Sequence, residues 1–113
     1  MLDDIKVQCF IDSYDFNLIL NSPIRNLIQT NKPTVNYSAG KGYRKTNCPA
    51  CKNRSLSVNL LLKPRSRFLC WEPTCNIKGD IIDYFRLLGI DFIPAITYMC
   101  EYTGKDVKEL EKI

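Results

Sequence analysis

Four cysteines carry the most specific chemistry this sequence offers. Cys48-Pro-Ala-Cys51 and Cys70-Trp-Glu-Pro-Thr-Cys75 give a C-x2-C pair and a C-x4-C pair with eighteen residues between them. Two thiolates on one tight turn can reach a tetrahedral ion at about 2.3 Å per bond, and a second turn carried by a hairpin completes the sphere. The spacing follows the zinc-ribbon template and predicts one structural Zn2+; a disulfide pair and unliganded core thiols are the competing states. Four protein ligands close the sphere, so the ion would staple the fold and not act as a Lewis acid. Cys9 and Cys100 have no partner at ligand spacing and read as core residues in helical, apolar surroundings. Histidine is absent. Ser-His-Asp and Cys-His nucleophiles are therefore excluded, and the acids are too scattered to form a catalytic group, so the chain is read as non-catalytic on its own.

Charge is concentrated around the same cysteines. The net charge of the whole chain is +4, yet residues 41–78 hold nine basic residues against the single acid Glu72, a net +8 that leaves −4 for the rest. A block this basic in an otherwise acidic chain is the footprint expected for a polyanion partner, with a plain solvated face as the alternative. The candidate phosphate contacts are Lys41, Tyr43, Arg44, Lys45, Lys52, Arg54, Arg65, Arg67 and Lys78. Phe68 and Trp71 are the candidates for stacking on bases, and Tyr43 can serve either role. Each aromatic has a second reading: Tyr43 and Phe68 as ribbon core, Trp71 as a cover for the metal turn.

The elements that must position these residues fit one domain. At 113 residues the chain has room for a single small core, which a metal would help to stabilise. With 45% hydrophobic and 25% charged residues it is of ordinary globular composition, and no apolar run approaches a membrane span. The opening MLDDIKVQCF carries acid where a secretory leader carries base, so a reducing, cytoplasmic setting is expected, with no membrane partner.

Segments 43–47, 55–62 and 65–70 have strand character, with Leu56, Val58 and Leu60 alternating against Ser55, Ser57 and Asn59, and Lys63-Pro64 at a hairpin turn. Upstream, apolar residues from Phe10 to Leu20 predict one short helical stretch. A second helix is expected to start at Ser22 as N-cap with Pro23 at its first position, and to end at Lys32-Pro33. Downstream, Asp80 reads as the N-cap of a helix carrying Ile81, Ile82, Tyr84, Phe85 and Leu88, closed by Gly89, with Asp83 as an exposed helix acid. A last helix over 92–102 stops at Gly104, followed by a short tail, 106–113, of helical character. The expectation is an α+β fold: one domain over 1–113, a small antiparallel zinc ribbon at about 41–80, and helical flanks at 1–35 and 80–113.

Several motifs together resemble a family. The run from Tyr37 through Ala39-Gly40-Lys41, Tyr43 and Cys48-Pro-Ala-Cys51, the strand Ser55-Leu-Ser-Val58, Arg67-Phe-Leu-Cys70, and Cys75-Asn-Ile-Lys-Gly-Asp-Ile-Ile-Asp-Tyr-Phe85 resemble the N-terminal zinc-binding domain of bacterial DnaG-type primases and their phage relatives. Phe92-Ile-Pro-Ala-Ile-Thr-Tyr-Met99 and Tyr102-Thr-Gly-Lys-Asp-Val107 look like that domain's closing helix and exit, so the likeness covers roughly residues 20–110. Two departures stand out: Cys51 is where the bacterial enzymes usually have histidine, and the second pair has two residues more than the family's C-x2-C.

The resemblance implies a module that binds single-stranded DNA template and assists primer initiation. It would act with a separate primase catalytic domain, DNA polymerase or replicative helicase in trans, as a bacterial protein or one from a phage or mobile element acting in bacterial cytoplasm. Two other classes remain open: a zinc-ribbon adaptor binding a polymerase, helicase or transcription complex, and a small redox or metal-carrier protein.

Overall fold

The computed structural model describes residues 1–28, 35–38, 40–62 and 65–112, with the side chain of Arg25 excepted. Its centre is an antiparallel meander of five short strands in the order β1–β2–β3–β4–β5. These are β1 (Asn36–Ser38), β2 (Tyr43–Thr46), β3 (Leu56–Asn59), β4 (Arg67–Cys70) and β5 (Lys78–Gly79). The three central strands fall within the three segments of strand character, and β1 and β5 extend the sheet on either side. The expected turn at Lys63-Pro64 lies outside the described residues, but β3 and β4 flank it in antiparallel register, Leu56 opposite Cys70 and Val58 opposite Phe68.

Register decides what each face of the sheet holds, because alternate residues of a strand point to opposite sides. Leu56, Val58, Phe68 and Cys70 are buried on the inner face. There Phe68, Phe16 and Tyr84 meet edge to face, with ring centroids 5.4–6.5 Å apart, the geometry favoured by aromatic quadrupoles. Gly79 lets β5 pass the next helix, since a Cβ there would lie 2.5 Å from the Asp83 carboxylate.

Four helices cover that inner face: α1 (Asp4–Ser13), α2 (Phe16–Leu20), α3 (Ile81–Leu87) and α4 (Phe92–Thr103). The single stretch expected between Phe10 and Leu20 is two helices. Asp15 accepts a hydrogen bond from the Asn17 N–H and so starts a new helix where the first would otherwise continue. The helix expected after Ser22 is a 3₁₀ turn, Pro23–Leu27. The Ser22 hydroxyl donates to the Ile19 carbonyl at 2.7 Å, back toward α2. The expected end at Lys32-Pro33 lies outside the described residues.

The second half of the chain follows the expectation closely. Asp80 caps α3 by accepting from the Ile82 and Asp83 N–H groups, and Asp83 returns the bond to the Asp80 N–H at 3.0 Å. Asp83 is therefore half of a capping box and not a free surface acid. Helix α4 ends at Gly104 in the left-handed region, φ 74°, and the tail contains a 3₁₀ turn, Val107–Leu110. The Asp3 N–H donates to the Leu110 carbonyl at 2.7 Å, so both ends of the described chain meet beside α1. Cys100 is buried as expected, but Cys9 is exposed. It lies two residues from both Val7 and Ile11, about 200° around the helix from the side they bury. Among the described residues no helix is long and apolar enough to cross a membrane.

Candidate metal centre and basic face

Cys48 follows β2, Cys70 ends β4, and Cys51 and Cys75 complete the two turns that leave these strands. The turns are built alike. In the first, the Lys52 N–H donates to the Cys48 carbonyl at 2.9 Å; in the second, the Cys75 and Asn76 N–H groups donate to the Glu72 carbonyl at 3.0 and 2.9 Å. Lys52 and Asn76, each directly after the second cysteine of its pair, are the non-glycine residues with positive φ among the described residues, 66° and 50°. That left-handed step reverses the chain and aims both thiols of each turn inward. The x4 spacing of the second pair is absorbed in this turn without displacing Cys70 from the cluster.

The four sulfurs lie within 4.8 Å of one another and could hold a metal ion. Cys48 to Cys75 and Cys51 to Cys70 are each 3.7 Å between sulfurs. A regular tetrahedron with bonds of about 2.3 Å has edges of about 3.8 Å, so the spacing suits a tetrahedral thiolate site. The cysteines are free thiols.

Their protonation reflects where each sits. Burial pushes the Cys48 thiol above its ordinary range. Burial also acts to raise Cys51, but the Ser55 hydroxyl, the Asn53 backbone and the neighbouring thiols outweigh it and bring Cys51 down to about 7. Ser55 Oγ stands 3.4 Å from the Cys51 sulfur and 3.1 Å from the Cys70 sulfur, within reach of one ligand from each turn. This hydroxyl was not singled out from the sequence, although its place at the base of β3, opposite the second turn, is the available signal. Nor was Asn47, which is buried beside Cys48 and accepts the Val35 N–H at 2.7 Å, tying the first turn to the start of β1.

The basic residues are sorted by the sheet. Pairing aligns Tyr37, Lys45, Ser57, Leu69 and Lys78 across all five strands, and Tyr43, Asn59 and Arg67 in a second row, on the face away from the helices. The Asn59 side-chain amide donates to the Tyr43 hydroxyl at 3.2 Å, and Tyr43 is 42% exposed. Trp71, just past β4, is 64% exposed. Lys41 is exposed in the β1–β2 turn, and Lys52 and Arg54 are exposed on the first metal turn. Tyr37 joins this face although the sequence did not mark it as a contact, because its strand becomes visible only once paired with β2.

Three expected contacts are placed elsewhere. Phe68 is 2% exposed and packs on Phe16 and Tyr84, so it is core and cannot stack on a base. It shares the inner side of β4 with Cys70, two residues on. Arg65 bonds Asp12 of α1 and, at 2.9 Å, Asp80, and its guanidinium is held charged above its ordinary range first by Asp12. It ties helices to ribbon instead of facing a phosphate. Arg44 points to the side of Asn36, donating to its side-chain oxygen at 3.0 Å and to its carbonyl at 3.1 Å. Arg67 keeps an exposed guanidinium, 3.6 Å from the Asp80 carboxylate.

Comparison with family models, curated proteins and solved structures finds no match to this chain, so the functional reading rests on residues and geometry.

Proposed function

We propose that the chain is a zinc-ribbon module that binds single-stranded DNA template for a polymerising partner, in the manner of the zinc domains of DnaG-type primases. The observation that carries this reading is the outer sheet face, where Tyr37, Tyr43, Lys45, Arg67 and Lys78 share two register rows with Trp71 at the end of β4. Alternating aromatic and cationic side chains on one open face suit a single strand: rings stack on bases and cations track phosphates, with no demand for a particular sequence. The Cys48, Cys51, Cys70 and Cys75 sulfurs would hold one zinc, which closes both turns and fixes the ends of β2 and β4. Zinc is favoured by an all-thiolate tetrahedral donor set.

The chain's own residues then divide the work. Lys45, Arg67 and Lys78 neutralise phosphate, Tyr43 and Trp71 hold bases, and Asn59 orients the Tyr43 hydroxyl. Primer synthesis is assigned to a separate catalytic domain, as in the primases this chain resembles. The test is a salt series of binding to short single-stranded DNAs of varied sequence, with zinc-loaded and chelated protein. Arg67→Ala should weaken all sequences alike and flatten the salt slope by about 0.7 on a single strand. Trp71→Ala should lose roughly 1–3 kcal/mol with the slope unchanged and the zinc content intact. Salt-independent or absent binding by the zinc-loaded chain would refute the reading in favour of a protein adaptor.

A further inference from the structure

On the helical side, away from the sheet face and containing none of the four clustered cysteines, lies an open cleft of about 940 Å³. Its floor is apolar: Val7 and Ile11 of α1, Ile82 of α3, Phe92 and Ile93 of α4, and Val107 of the final turn. Ile93, one of these apolar lining residues, is 56% exposed. The charged groups around it are mainly acidic. Asp80 and Arg65 are paired with each other and Asp83 is engaged in the α3 capping box, which leaves Asp4 and Glu111 against Arg86.

We propose that this cleft docks an amphipathic helix carrying basic residues, presented by a protein partner. A cleft lined by apolar residues of α1, α3, α4 and the final turn can accept the apolar face of a further helix, read as anchors at i, i+3, i+4 and i+7. The sign of the partner follows from charge. The +8 block repels a basic segment from the ribbon, while the remaining −4 and the acidic rim attract it here. Nucleic acid and partner would thus meet opposite sides of one small domain, and neither has to displace the other.

The probe is a synthetic helical peptide of about 18 residues with leucine at those anchor positions and lysine elsewhere, compared with a version carrying glutamate for lysine. Titrated into the zinc-loaded full chain, the lysine peptide should saturate and shift the amide resonances of Val7, Ile82 and Ile93. The glutamate version should bind at least about tenfold more weakly. Ile93→Asp, at an exposed position that leaves the core intact, should weaken the lysine peptide about tenfold or more. Asp4→Asn with Glu111→Gln should weaken it about threefold or more and reduce its salt dependence. Equal affinity for both peptides, shifts confined to the sheet face, or unchanged binding by Ile93→Asp would overturn the proposal. Short single-stranded DNA added to a separate sample reports on the sheet face alone; DNA-induced shifts inside the cleft would also overturn it.

Discussion

The ribbon and the helical layer are held together by different means. Helices α1 to α4 bury Val7, Ile11, Phe16, Ile19, Ile82, Phe85, Ile96 and Met99 against one another and the sheet, a core of ordinary apolar side chains. The ribbon's strands are two to four residues long, and their inner face contributes Leu56, Val58 and Phe68 to that core. Beyond Leu56 the two metal turns bury thiols and polar groups such as Asn47, with little apolar area to stabilise them. The difference teaches where a bound ion would matter most: the helices have an apolar core to hold them, and the turns have the four sulfurs that could hold an ion.

The strongest way to break that contrast is to remove the ion. Zinc contributes on the order of 10–16 kcal/mol in small metal domains, comparable to or above the whole stability of a domain this size. Chelation, or Cys75→Ser, should abolish amide protection in β2 to β4 first, with residual helical signal from α3 and α4 persisting longer. Hydrogen exchange followed by residue checks this. Equal and simultaneous loss in both regions would make them one cooperative unit, and unchanged protection would remove the metal from the account.

A smaller perturbation tests the contact between the regions. Phe68→Ala should cost about 3–5 kcal/mol, because it empties the site shared with Phe16 and Tyr84. Trp71→Ala, three residues along, should change stability by less than about 0.5 kcal/mol. Urea unfolding of the two variants reads this directly, and similar costs would mean that Trp71 packs on the metal turn.

Asp80 offers a weaker handle on the same seam. Burial acts to raise its carboxyl, but the bonds from Arg65 and the α3 N-terminus prevail and hold it below the usual carboxylate range. A carboxylate with a depressed folded pKa contributes stability above its unfolded value of about 3.9, and loses that contribution as pH falls through the folded value. Asp80→Asn should therefore cost about 0.5–2 kcal/mol at neutral pH and narrow its difference from the parent below about pH 4. Thermal melts across pH 3–7 measure the gap. A gap constant with pH would assign the loss to helix capping geometry instead of charge.

How much of this was legible in the chain depended on whether the signal was local. Cys48, Cys51, Cys70 and Cys75 were readable because ligand spacing is a property of two short turns. The Asp80 cap and the Gly104 stop were readable for the same reason. β1 was not: Asn36–Ser38 is three residues without alternation, and it becomes a strand by pairing with β2, next to Val35, whose carbonyl accepts from the Thr46 hydroxyl and whose N–H donates to the Asn47 side-chain oxygen. The start of helix α1 was not placed within the expected helical flank, because only Val7 and Ile11 mark its buried side. Arg65 looked like a phosphate contact because its partner Asp12 lies 53 residues away in sequence. The fate of Phe68 was in principle readable: a strand that aims Cys70 inward must aim Phe68 inward too.

The smallest effect concerns the backbone, where the two regions again differ. In the helical half, positive φ occurs at Gly89 and Gly104, residues that adopt it without a Cβ penalty. In the ribbon, Gly40 and Gly42 adopt it in the β1–β2 turn, but the cysteine turns place it at Lys52 and Asn76, which carry a Cβ. A left-handed lysine costs about 1–2 kcal/mol, and glycine gives back about 0.5–1 kcal/mol of that gain through the greater freedom of the unfolded chain. Lys52→Gly should therefore stabilise the zinc-loaded protein by a few tenths to about 1 kcal/mol. Gly104→Ala should destabilise it by a similar amount, since it forces a Cβ into the left-handed region at the end of α4. Urea midpoints with unchanged slopes would show both changes. A loss on Lys52→Gly would mean that the Lys52 ammonium, which donates to the Pro49 carbonyl, contributes more to closing the first turn than its backbone costs.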